Sequence, residues 1–94
     1  MSQNGDCAMN SQSFEERLRM GKVNCLVYSK DGKDGLISVW INNSSFILTW
    51  EECPKGKQYD ESTYTRDDRH VFSNYSDLLF FLKEQNLQLN QFKN

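Results

Sequence analysis

The stretch from Leu36 to Trp50, LISVWINNSSFILTW, is two apolar runs joined by asparagine and serine. Reading Asn43-Ser44 as a two-residue turn fixes its register, because turn length sets the pairing of a hairpin. Asn42 then faces Ser45, Ile41 faces Phe46, Val39 faces Leu48 and Ile37 faces Trp50. Side chains alternate between the two sides of a strand, so these apolar residues share one face. A face of that kind must be buried against another element. The opposite face carries Leu36, Ser38 and Trp40 against Glu51, Thr49 and Ile47. It too holds large apolar groups, and its purpose is the question that the hairpin raises.

The segment SNYSDLLFFLKEQNLQL supplies a cover for the first face. Tyr75, Leu78, Leu79, Phe81 and Leu82 form one apolar arc at helical spacing, and Leu89 rejoins it if the helix runs that far. Ser73 or Asn74 can cap this helix, and Asp77 suits its first turn. Phe80 and Leu87 fall on the outer side. Burying four or five of its large side chains contributes on the order of 8–12 kcal/mol before entropy is subtracted.

Upstream, SFEERLRMG predicts a short helix, with Ser13 and Glu16 at the spacing of a capping box and Gly21 as its stop. Phe14 and Leu18 lie four apart on one side of it. VNCLVYSK alternates as a strand, and the reading taken here turns Val23, Cys25 and Val27 toward the core. Leu26 and Tyr28 then join Trp40 and Ile47 on the second face. DGKDG is a loop by composition, and EECPKGKQYDES is a longer polar connection. TYTRDDRHVF reads as a charged edge strand.

The expected fold is therefore α+β: an antiparallel meander of about four strands, a C-terminal helix across one face and a short N-terminal helix. Residues 1–12 are expected to be disordered, 13–90 to form a single domain, and 91–94 to fray. At 94 residues the chain suits one domain with a modest core.

Composition narrows the function classes. The net charge of −2 lacks the basic surplus of a dedicated nucleic-acid or membrane-surface binder. No apolar run approaches the roughly 20 residues needed to cross a bilayer. MSQNGDCAMNSQ has neither a basic start nor an apolar stretch, so a cytoplasmic protein is expected. Cys7, Cys25 and Cys53 are odd in number and widely spaced, which reads as free thiols and not as a zinc site. Asp31 and Asp34 lack the remaining ligands of a calcium loop, and Gly32 and Gly35 do not open a helix as phosphate-binding glycines do.

No convergent catalytic set emerges. His70 is the single histidine, and Cys53 lies on another segment. Asp67 and Asp68 are adjacent, so on a strand they point to opposite faces and cannot work as a pair. No enzyme activity, cofactor or metal is expected. The second face leaves two readings. Either the N-terminal helix folds over it through Phe14 and Leu18, or it stays open as an aromatic-aliphatic surface that binds another protein or a second copy. The candidate binding residues are Leu26, Tyr28, Trp40 and Ile47, with Phe80 and Leu87 as a weaker patch and Arg66, Arg69 and His70 as a polar rim. Stacking of single-stranded nucleic acid on the same face is the alternative, disfavoured by the acidity of the chain.

Overall fold

The computed structural model describes residues 10–93, so most of the segment expected to be disordered, Cys7 included, lies outside the described residues, as does Asn94. The fold is α+β. It runs α1 (Ser11–Arg19), β1 (Asn24–Lys30), β2 (Lys33–Asn42), β3 (Ser45–Pro54), β4 (Arg66–Phe72) and α2 (Tyr75–Glu84), with short 3-10 turns at Glu61–Thr63 and Leu89–Gln91. The strands form one antiparallel sheet in the order β1-β2-β3-β4. Among the described residues no helix is long and apolar enough to cross a membrane.

The β2–β3 hairpin has the register that its turn dictates: Ile41 faces Phe46, Val39 faces Leu48 and Ile37 faces Trp50. Asn43 and Ser44 both take positive φ, the type I′ pattern that matches strand twist. The β1–β2 hairpin uses the same device. Asp31 and Gly32 both take positive φ, so only two residues make the turn. That pairs Tyr28 with Gly35, Leu26 with Ile37 and Asn24 with Val39. The phase expected for β1 is thereby reversed. Asn24, Leu26 and Tyr28 face the core, and Cys25 and Val27 face the other way.

Both helices pack on the same side of the sheet. Phe14 and Leu18 of α1 and Leu78 and Leu82 of α2 join Leu26, Ile37, Val39, Phe46, Leu48 and Trp50 in one buried cluster. α1 starts earlier than expected. Asn10 is its cap: the Asn10 Oδ1 accepts the Ser13 N–H at 2.9 Å, and the Asn10 N–H reaches back to Ser13 Oγ at 3.1 Å. Ser13 is thus the third helical residue rather than the cap, and Ser11 and Gln12 are helical. The helix stops in a Schellman motif at Gly21, whose N–H meets the Leu18 carbonyl while the Lys22 N–H meets that of Arg17.

A buried polar staple fixes α1 against β1. Asn24 is fully enclosed, and Arg17 Nε donates to its Oδ1 at 2.7 Å. Its Nδ2 donates to the Phe14 carbonyl at 3.0 Å, and Arg17 Nη2 donates to the Val23 carbonyl at 3.0 Å. A buried amide is tolerable because both of its ends are satisfied.

α2 is capped by Asn74, whose Oδ1 accepts the Asp77 N–H at 2.9 Å. It ends at Glu84 and does not run on to Leu89, because Asn86 takes the left-handed conformation and closes a second Schellman motif. The chain then returns to the sheet. Phe92 is fully buried, edge-on to Phe14 at 5.2 Å, and Lys93 exchanges two backbone hydrogen bonds with Cys25 on the outer edge of β1. Residues 91–93, expected to fray, are therefore anchored by a core aromatic and a β-bridge.

Candidate functional site

With both helices on one side, no helix covers the other side of the sheet among the described residues, and the β3–β4 connection folds toward one end of it. The surface of that side follows from the register, which sets residues in rows across the strands, with about 4.8 Å between neighbours in a row. One row is Trp40, Ile47 and Val71, continued by Val23 just before β1. The next is Cys25, Ser38, Thr49 and Arg69. The third is Val27, Leu36, Glu51 and Asp67.

The first row is an apolar stripe. Val71 is 58% exposed and Val23 is 42% exposed, whereas Ile47 between Trp40 and Val71 is only 3% exposed. Ile47 lies outside the core cluster beneath the helices, so the exposed area of the stripe is carried by its two valine ends and by the half-buried Trp40. The middle row is small and polar, with Cys25 Sγ 3.8 Å from Ser38 Oγ. In the third row Val27 is 76% exposed. Such contiguous apolar exposure is uncommon on a domain that has no further contact to make.

The residues proposed from sequence divide between the two faces. Trp40, Ile47 and Arg69 lie on the open one. Leu26 and Tyr28 do not: the Asp31-Gly32 turn sets them on the helix side, where Leu26 is buried. The Tyr28 ring lies flat over Gly35, at which an added Cβ would fall within the ring. Its hydroxyl accepts the Trp50 indole N–H at 2.9 Å and donates to the Glu52 carboxylate. Burial first, and then the Glu52 hydrogen bond, hold the Tyr28 phenol above its usual range.

Arg66 also belongs to the helix side, because it pairs with Glu52 across β3 and β4. Its guanidinium sits 3.6 Å over the Trp50 ring and its Nε meets Asp68 at 2.6 Å. It caps the end of the core. His70 faces Leu48 on that side too, packed against Phe81 at 4.6 Å and Phe72 at 6.3 Å, and its Nε2 is buried without a partner. Cys53 points to the open side, so the thiol and the imidazole are not brought together. Phe80 is exposed on the outer side of α2, but Leu87 packs against the core, so the two do not form one outer patch. Among the described residues no three metal-ligating side chains converge.

Sequence reasoning missed Val27, Val71 and Val23 as members of the open face. The signal was present: Asp31-Gly32 is a two-residue turn sequence as legible as Asn43-Ser44. Counting back from it places Val27 beside Leu36 and takes Leu26 out of the surface. Comparisons with protein-family models, with curated proteins and with solved structures found no match.

Proposed function

We propose that this chain is a non-enzymatic binding module that docks another protein on the open face of its sheet. The observation that carries the reading is the stripe of Val23, Trp40, Ile47 and Val71, laid across β2, β3 and β4 and on to the residue before β1, on the side that neither helix occupies. Trp is a favoured interface anchor, and a flat sheet presents it on a rigid support. Single-stranded nucleic acid draws less support. Of the two arginines expected beside the stacking surface, Arg66 is committed to Trp50 and Asp68, and Arg69 shares its face with Glu51 and Asp67.

A photo-crosslinking residue at position 40, compared with one at exposed position 80, tests the role in the native host. A discrete adduct from position 40 that disappears in Val71→Asp is expected. Equal adducts from both positions, or none from position 40, would overturn it. Sedimentation equilibrium of the purified chain distinguishes a second copy from a different protein as the occupant.

A further inference from the structure

At the end of the open face away from Trp40, the β3–β4 connection folds back toward the sheet. Asp34 holds it there. Its carboxylate accepts the Gly56 N–H at 3.1 Å and a hydrogen bond from the Gln58 side-chain amide, and these bonds together with Ser29 keep its carboxyl below the usual carboxylate range. The fold-back makes a cleft of about 510 Å³. Val27 and Leu36 lie on its floor, with Glu51 and Cys53 beside them and Gln58 and Tyr64 at its wall. Tyr64 is steadied by donating its hydroxyl proton to the Gln58 carbonyl at 2.7 Å.

The floor belongs to the row Val27, Leu36, Glu51, Asp67, apolar in one half and acidic in the other. Glu51 and Asp67 stand directly opposite each other on neighbouring strands. Like charges in that position destabilise a sheet. Among the described residues neither forms an ion pair, the pairs present being Arg19 with Glu15 and Arg66 with Asp68. The cleft therefore joins an apolar floor to a pair of carboxylates, Glu51 in its lining and Asp67 just beyond it, which share their face with Arg69 but form no ion pair with it.

We propose that this cleft seats a basic segment of the partner protein. A lysine or arginine lays its aliphatic stem on Leu36 and the Tyr64 ring and sets its cation beside Glu51 and Asp67, while an apolar side chain of the same segment covers Val27. Long cationic side chains suit such a surface because stem and head want different surroundings. Val27 and Glu51 are two strand spacings apart, about 10 Å, which two to three residues of an extended segment span. The inference rests on the protein-binding role of the face and adds the chemistry of the partner.

Random nonapeptides displayed on phage and selected on the immobilised full chain test it. Enriched peptides should pair Lys or Arg with an apolar residue two or three positions away. Their affinity should fall as salt rises, and drop roughly tenfold or more in Glu51→Gln/Asp67→Asn, the size of a lost charge-assisted contact. That double variant relieves the like-charge contact, so its denaturant midpoint should stay level or rise, and lost binding cannot be ascribed to unfolding. Peptides without a basic residue, or ones that bind the double variant equally well, would overturn the inference. If such peptides are lost in Val71→Asp, the protein-binding role stands without it. No enrichment would also overturn it, and joined to the absence of a crosslink from position 40 it would overturn both.

Discussion

Leu36 and Ile37 are neighbours in the chain and sit on opposite faces of β2. Ile37 is fully enclosed in a cluster to which both helices and Phe92, three separate parts of the sequence, contribute. Among the described residues Leu36 faces the β3–β4 connection, on the floor of a cleft. The helix side is closed by elements that the chain sends to it repeatedly, and of its polar members Asn24, Tyr28 and Glu52 are tied into hydrogen bonds, whereas His70 Nε2 is buried without one. The open side has an apolar stripe and an acidic pair held apart by a row of small and polar residues. Its surface is segregated where a merely solvated face would be mixed, and this division supports reading it as a binding surface.

The two tryptophans, one on each face, should differ most in what their loss costs. Trp50→Ala should cost about 3–5 kcal/mol, since it empties a core site and leaves Tyr28 and Arg66 without their partner. Trp40→Ala should cost about 1 kcal/mol or less, through lost packing on Ile47 alone. Urea midpoints of the two variants measure both. Equal losses would mean that the second face is core.

Two intermediate effects probe how the helix side is locked. Gly35→Ala should destabilise by about 1–3 kcal/mol, because the new methyl displaces the Tyr28 ring and strands the Trp50 N–H. A shift of the Trp50 indole proton resonance should accompany the loss of stability, and an unchanged resonance would contradict the packing described. Asn24→Ala should cost a similar ~1–3 kcal/mol by removing the side-chain hydrogen bond to the Phe14 carbonyl and leaving Arg17 Nε without its acceptor. Amide exchange should then quicken in α1 first. Uniform acceleration across the sheet would count against a local staple.

The smallest effect is one of pH. The Tyr28 phenol is raised in the folded state, so its contribution to stability is complete below the ordinary phenol value of 10.0. It is lost as pH rises through the higher folded value. Urea midpoints should fall in that alkaline window, and Tyr28→Phe should flatten part of the fall. A variant with the same alkaline slope as the parent would place Tyr28 in solvent.

Much of this division could be read from residues. The β2–β3 hairpin was legible because turn chemistry and apolar alternation agree there, and α2 because its apolar arc is broad. β1 was not, since Asn24 looks like a surface residue until its amide meets Arg17 and Phe14, groups that only the tertiary fold brings to it. Val27 was lost to the same error. Phe92 follows a polar stretch after a helix end, and nothing local says that it returns to the core. Arg66 carries a charge that composition assigns to solvent, yet its planar guanidinium stacks on Trp50. The cleft was illegible for a different reason: it depends on Asp34 of β2 reaching across to Gly56 and Gln58, a contact between a strand and a loop far along the chain.

That one side of the sheet is sealed and the other accessible is tested by methyl NMR of the full chain with a soluble gadolinium chelate. The methyls of Val27 and Val71 should relax strongly as chelate is added, while those of Ile37, Val39 and Leu48 should be nearly unaffected. Val27 and Val71 methyls as protected as that of Val39 would contradict the account, for they would show the second face already covered.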